Sequence, residues 1–363
     1  MKAMMTCLYA IFLLALQPAS AQYDFSETGR LLDKYQRQLG GNVVTLVWKD
    51  GQMIFKKEQG NYSADTQIPI ASCSKWLTAA LVMTFVDEGK LSLDDSIGKF
   101  LPVFTQYGKG GIKLRHCLSH TTGLESGSMN ILTLIAEYRK REKMGSLGAE
   151  VDDFARNRKL IAAPGSEFRY SSIGLNIAGH ILEVISKKSF GQLFQERIAR
   201  PLGMLHTSFE TGKGPVNPSG SAASTANDYM KFLVMILQKG KYGDNRILSE
   251  QSVLDMQRPQ IDLSMVKSTP RPAEGFTYAL GEWVEETSAD GSSTAVASPG
   301  LFGSWPLVDN CHHYACLFFI RSLLNNQQRD IYMEIKKTMD GQMTSSCHNY
   351  FSASFAVFSP LKY

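Results

Sequence analysis

The sequence predicts an α/β (α+β) fold in which both ends of the chain supply strands to one sheet and a helical insertion separates them. Three observations carry this. β-rich runs cluster before residue 60 and after residue 277, while helical patterns fill most of 91–224. No repeat, low-complexity tract or interdomain linker interrupts the 363 residues. That length fits one large unit or two intertwined subdomains. The α/β part is placed at about 22–95 and 225–340, the helical part at about 96–224, and the tail 343–363 gives no clear pattern.

The first element is an amphipathic helix over Phe25 to Leu39, ended by Gly40-Gly41. Asn42–Trp48 and Gln52–Glu58 flank Lys49-Asp50-Gly51, and Asp-Gly between β-rich runs predicts a hairpin. A loop leads to Ile70-Ala71-Ser72, after which the apolar spacing of Trp76, Leu77, Ala80, Leu81 and Phe85 predicts a helix as far as Glu88-Gly89. In the insertion, Leu175–Ser186 and Gly191–Ile198 are clear helices, and Thr225–Gln238 is another. Strands are expected at Tyr278–Glu285, Gly303–Asp309 and Tyr314–Leu323, then a helix over about 326–339.

Composition excludes several function classes. Hydrophobic residues at 44% and charged residues at 20% are ordinary for a globular chain with a real core. The net charge of +4 is too mild, and too evenly spread, for a nucleic-acid surface, so no nucleic-acid partner is expected. Arg139, Lys140, Arg141 and Lys143 read as a solvated helix face beside Glu137 and Glu142. At the N-terminus, Lys2, the apolar run Cys7–Leu16 and Ala19-Ser20-Ala21 predict a signal peptide over 1–21. Export follows as an expectation, with a periplasm favoured over full secretion and no stable membrane insertion after cleavage. Five cysteines then remain, so pairing cannot be complete; one bridge among Cys311, Cys316 and Cys347 is open, while Cys73 and Cys117 read as small buried residues.

The chemistry centres on Ser72-Cys73-Ser74-Lys75. A hydroxyl and an amine at i and i+3 share one helix face. Serine becomes a nucleophile when a neighbour takes its proton, and lysine does this only when its pKa is lowered. The helix N-terminus disfavours a second cation and favours an oxyanion. Alone, S-x-x-K is a weak signal, and its plain structural reading is a helix start capped by Ser72. Tyr170 is a candidate proton shuttle if a cation such as Lys75 lowers its pKa; otherwise it is a buried, satisfied tyrosine. Ser298-Pro299-Gly300 precedes a strand, where glycine permits close backbone approach and the next amide can face an oxyanion; a simple turn is the alternative. His120 reads as a structural histidine holding a loop. His312-His313 among Cys311, Cys316 and Cys347-His348 matches no zinc spacing, so no metal and no cofactor are expected.

With these segments in order, the chain resembles the serine β-lactamase and penicillin-binding superfamily, in the branch of class C β-lactamases, D-alanyl-D-alanine carboxypeptidases and family VIII esterases. The resemblance spans about 25–340. It rests on Ile70-Ala71-Ser72-Cys73-Ser74-Lys75, Leu118-Ser119-His120-Thr121-Thr122-Gly123-Leu124, Pro164-Gly165 through Tyr170-Ser171, Pro201-Leu202-Gly203-Met204 and Ser224-Thr225-Ala226-Asn227-Asp228-Tyr229. It implies an antiparallel sheet flanked by helices with an inserted all-helical subdomain, and a site between them. It implies acylation of Ser72, proton movement by Lys75 and Tyr170, and an oxyanion hole from the amides of Ser72 and Leu301. Ser172, Ser298 and Gly300 fall at substrate-binding positions.

Two departures from the family pattern bear on substrate. Ser172 stands where Tyr-x-Asn has asparagine, and Ser298-Pro299-Gly300 replaces Lys-Thr-Gly or His-x-Gly. The second removes a cation that would meet a substrate carboxylate. The expectation is therefore a serine hydrolase acting on an ester or amide, taking a small-molecule or peptide substrate of cell-wall or other origin. The alternatives are a β-lactamase or D-Ala-D-Ala carboxypeptidase whose cation comes from elsewhere, and an impaired cell-wall binding protein of the same fold.

Overall fold

The computed structural model describes residues 23–127, 131–209, 214–347 and 350–351. The expected signal peptide lies outside these residues, as does most of the tail after 347.

Helix α1 (Ser26–Tyr35) is followed by β1 (Val43–Lys49) and β2 (Gln52–Gln59), joined by the expected turn with Asp50 at φ 50° and Gly51 at φ 82°. Both positive values are what a tight hairpin turn requires. The nucleophile helix α2 (Ser74–Asp87) comes next. Further along are α3 (Ile173–Ser186), α4 (Ala226–Leu237), β3 (Thr277–Tyr278), β4 (Trp283–Ser288), β5 (Ser293–Ala297), β6 (Gly303–Asp309), β7 (Tyr314–Arg321), α5 (Asn326–Asp340) and β8 (Tyr350–Phe351). The sequence expectation differs at one strand: the run from Tyr278 to Glu285 is broken at Gly281, whose φ is 83°, so it splits into β3 and β4. β5 is short and went unforeseen.

The sheet is antiparallel, in the order β8-β4-β5-β6-β7-β1-β2 with β3 on β4. Its centre joins the two ends of the chain, pairing Val44 with Phe319 and Leu46 with Leu317. Alternation then sorts the side chains onto two faces. Val43, Val47, Phe318 and Ile320 pack with α1 and α5, through Leu31, Leu32, Ile331 and Ile335. Val44, Leu46, Leu317 and Phe319 pack with α2 and α4, through Trp76, Phe232 and Ile236. Because both faces are covered, β6 is buried along its whole length. The helical stretch between residues 97 and 202 packs on the α2 side, chiefly through α3.

One buried ionic cluster braces the far side. Lys336 Nζ meets Asp309 and Asp340 at 2.8 Å each and Glu286 at 2.9 Å. Burial works against its charge, but the three carboxylates hold it protonated. His312 Nδ1 lies 3.1 Å from Asp309. Asp309, His312 and Asp340 sit close enough to hold a cation, and the Lys336 ammonium already meets both carboxylates. Nearby, Cys311 is bridged to Cys347 and Cys316 is free and buried, which selects one of the pairings left open by sequence.

Removing the cation from this cluster would take an ion-pair partner from three carboxylates, one of them fully buried. Lys336→Met is expected to lose about 3–5 kcal/mol of unfolding free energy in urea titrations at neutral pH.

Candidate active site

The segment leading to Ser72 is pinned before it turns. Ile68 and Pro69 pair with Ser224 and Ala223, and the Ile70 amide donates to the Ala222 carbonyl at 2.9 Å. Ala71 then adopts φ 45°, a left-handed conformation that costs a non-glycine residue about 1–2 kcal/mol. A short 3-10 turn (Ala71–Cys73) runs directly into α2. This kink leaves Ser72 half-buried on the cavity wall, while α2 is buried from Ser74 through Phe85.

Lys75 is 4% exposed, and its Nζ donates to Ser72 Oγ at 3.1 Å and to the Ser219 carbonyl at 2.9 Å. Burial pulls its pKa from the usual lysine value down to about 7. Desolvation is the cause that lowers it. Among the described residues, no carboxylate approaches the amine to restore its charge.

Tyr170 is buried, stacked on Trp283 with ring centroids 5.3 Å apart, and its ring lies under Lys75 Nζ at 4.8 Å. The sequence expectation of a tyrosine acidified by Lys75 is corrected here. Burial pushes the phenol pKa up, and hydrogen bonding with Ser72 only partly opposes it. Lys75 Nζ lies over the ring and does not bring the lowering that the sequence suggested. Tyr170 thus stays protonated and offers a hydroxyl next to Ser72.

His120 matches its structural reading. It has φ 57°, is buried, and lies between Tyr278 (Nε2 to hydroxyl 3.1 Å) and the Ser171 amide, which donates to Nδ1 at 3.4 Å. Burial and then Lys75 hold its pKa well below the usual histidine value, so it stays neutral.

The Ser298-Pro299-Gly300 segment lies against the nucleophile turn. A Cβ on Gly300 would fall 2.4 Å from the Ile70 carbonyl oxygen, so glycine is required for the approach. Ser298 Oγ donates to the carbonyls of Gly281 (3.3 Å) and Ser72 (3.5 Å), behind the nucleophile. It forms no part of the cavity wall, whereas Pro299, Gly300 and Leu301 do. Among the described residues, no hydrogen bond consumes the amides of Ser72 and Leu301. Ser172 lines the cavity too, at the start of α3, without capping it.

These groups share one cleft of about 1090 Å³. Three of its cations are spent on carboxylates: Lys140 on Asp153 (2.6 Å), Arg158 on Glu137 (2.8 Å) and Arg141 on Glu150 (3.4 Å). Sequence reasoning missed three polar residues behind Lys75: Ser219, Asn176 and Glu150. Asn176 lies one helical turn beyond Ser172, a spacing that puts both on one face, but nothing in the sequence shows that the loop carrying Ser219 returns to it.

The beta-lactamase family profile matches residues 30–332. The chain belongs to the beta-lactamase family. Members of this superfamily are serine hydrolases. Among relatives, the D-alanyl-D-alanine-carboxypeptidase/endopeptidase AmpH of Escherichia coli K12 is 26% identical over 311 residues, covering 76% of this chain and 78% of AmpH. A Bacteroides dorei DSM 17855 chain solved as a candidate beta-lactamase superposes with TM-score 0.76 at 28% identity, covering 88% of this chain and 99% of that one. EstCE1, a hydrolase with promiscuous acyltransferase activity, superposes with TM-score 0.72 at 18% identity, covering 86% and 97%, a likeness of fold. The family's antiparallel sheet flanked by helices is the architecture described above.

The tight approach of Gly300 gives a direct test of this wall. Gly300→Ala is expected to destabilise the protein by about 1–3 kcal/mol through overpacking, read as a lower melting temperature.

Proposed function

We propose that the protein is an exported serine hydrolase that forms a covalent acyl-enzyme on Ser72, with an ester or amide of a small molecule or peptide as substrate. The observation that carries this is the buried Lys75 amine, 3.1 Å from Ser72 Oγ and with a pKa near 7. A neutral fraction of Lys75 takes the Ser72 proton as the oxygen attacks the acyl carbon. The Tyr170 hydroxyl, kept protonated by burial, passes a proton towards the leaving group and is refilled from Lys75. The amides of Ser72 and Leu301 receive the oxyanion. Water then releases the acyl group by the reverse proton path. Export, with the periplasm favoured, is supported by the N-terminal pattern of charge, apolar run and small residues.

The substrate side favours neutral acyl groups, because Ser298-Pro299-Gly300 brings no cation and three cleft cations are neutralised by carboxylates. A β-lactamase or D-Ala-D-Ala carboxypeptidase is the second reading. One observation favours it: Arg271 lines the same cleft and has no ion pair among the described residues. A guanidinium there would meet a substrate carboxylate.

The purified protein, with Ser72→Ala and Arg271→Ala, separates these readings on a chromogenic ester, a chromogenic cephalosporin and a fluorescent penicillin. Ester turnover that falls by about 10⁴-fold or more in Ser72→Ala is the expected result. Fast cephalosporin turnover that weakens in Arg271→Ala would select the second reading. Neither turnover nor covalent label from a folded protein would leave a binding protein of the same fold.

Two further outcomes follow from the amine. Lys75→Ala is expected to lose about 10²–10⁴-fold in acylation rate. In wild type, kcat/KM for a neutral ester rises with pH through about 7, because the ammonium form below that pH cannot accept the proton. A profile flat from pH 5 to 9 would contradict Lys75 as the base.

A further inference from the structure

Behind Lys75 the polar groups form a continuous chain of contacts. The Ser219 carbonyl accepts from Lys75 Nζ at 2.9 Å. The amide of the same residue donates to Asn176 Oδ1 at 3.1 Å. Asn176 Nδ2 in turn donates to Glu150 Oε2 at 3.2 Å. Asn176 is fully buried and Glu150 is 5% exposed. The first of these bonds fixes which way the asparagine amide points, because the Ser219 amide can only donate and so must meet Oδ1. On the other side of the loop, Thr78 Oγ1 donates to the Pro218 carbonyl at 2.6 Å, tying it to α2 one turn beyond Lys75.

We infer that Asn176 and Glu150 are positioning residues for Lys75: they hold the Ser219 backbone so that its carbonyl fixes the amine against Ser72. This rests on Lys75 acting as the base.

Three features make the chain more than incidental packing. First, Ser219 lies on a loop with little regular structure around it, so its carbonyl needs anchors to stay aimed at the amine. Asn217 Oδ1 supplies a local one, accepting from the Ser219 amide at 3.2 Å and hydroxyl at 2.7 Å, and Asn176 supplies the link to a rigid helix. Second, a buried carboxylate is costly, and Glu150 has few groups to offset that cost: Asn176 and, at 3.4 Å, Arg141. Burial raises its pKa to about 7 against Arg141 and Asn176, with Glu137 and Asp153 adding to the rise. Third, Ser172 forms no cap bond at the start of α3, and the amide that serves the site comes from Asn176 on the same helix face. It works through the Ser219 peptide and not through contact with the amine.

The titratable groups packed on Lys75 are Cys73, His120 and Tyr170. Burial keeps all three uncharged, so the amine's titration reports its own hydrogen bonds and solvation.

The test follows Lys75 directly. Protein carrying lysine labelled with carbon-13 at Cε, with the Lys75 signal assigned by its loss in Lys75→Arg, gives the amine's titration midpoint without any turnover. An acceptor bond favours the charged amine, so losing a well-aimed carbonyl lowers the midpoint. Asn176→Ala is expected to lower it by about half a pH unit or more. Glu150→Leu should move it the same way, and serves alone if Asn176→Ala fails to fold. Glu150→Gln keeps an amide oxygen for Asn176 and should titrate with wild type. On a chromogenic ester, kcat should fall about tenfold in the first two variants, KM should move less than threefold, and Glu150→Gln should recover the rate. An unchanged midpoint in a folded Asn176→Ala or Glu150→Leu overturns the inference. Wild-type turnover no greater than that of Ser72→Ala would instead overturn the hydrolase reading, while the titration still decides the positioning role.

Discussion

The site depends on keeping one amine out of water without giving it a counter-ion. Lys75 is buried, its pKa drops, and among the described residues no carboxylate comes near enough to reverse this. The contrast with Lys336 is instructive. Both lysines are almost wholly buried, yet three carboxylates keep Lys336 charged while Lys75 is surrounded by neutral groups. Burial alone does not decide which way a lysine goes; the company it keeps does. The aromatic wall of Tyr170, Trp283, Tyr278 and His120 is what supplies neutral company, and each ring is itself locked by another.

The second requirement is close approach. Three separate parts of the chain must come together around Ser72, and backbone meets backbone at the contacts. Gly300 packs on the Ile70 carbonyl, and Gly281 would clash with Ala79 and the Lys75 carbonyl if it carried a Cβ. Ala71 accepts a left-handed conformation that most residues avoid. Such strain persists only where the surroundings hold it, and the pairing of Ile68-Pro69 with Ala223-Ser224 does so from one side while α2 does so from the other.

Much of this was legible in the sequence, for identifiable reasons. The hairpin at Asp50-Gly51 and the helices α2, α3 and α4 follow from local turn chemistry and apolar spacing. Ser72 and Lys75 were legible because i and i+3 on a helix are neighbours whatever the tertiary fold. The protonation of Tyr170 was not, because it depends on how deeply the ring is buried and on which side of it the amine lies. Ser298 was expected at a substrate-binding position, but sequence could not tell that its hydroxyl turns to two backbone carbonyls behind the nucleophile. Asn176, Glu150 and Ser219 escaped notice because they are brought together over tens of residues by the packing of a loop, and no local spacing records that.

The pairing of β1 with β7 has a consequence for the order of events during synthesis. The first hairpin presents Val44 and Leu46 on one side and Val43 and Val47 on the other, and its main partner strand begins at Tyr314. Until the segment that begins at Tyr314 has left the ribosome, the hairpin's inner edge lacks its native partner. The nucleophile segment waits as well, since Gly300 and Ser219 must arrive to close around it. Closure of the sheet and of the Ser72 cleft therefore rests on contacts far apart in sequence, a topology that slows folding. A nascent chain of this kind leaves that edge uncovered and the Ser72 cleft unassembled until the segments carrying Ser219, Gly300 and Tyr314 have all emerged.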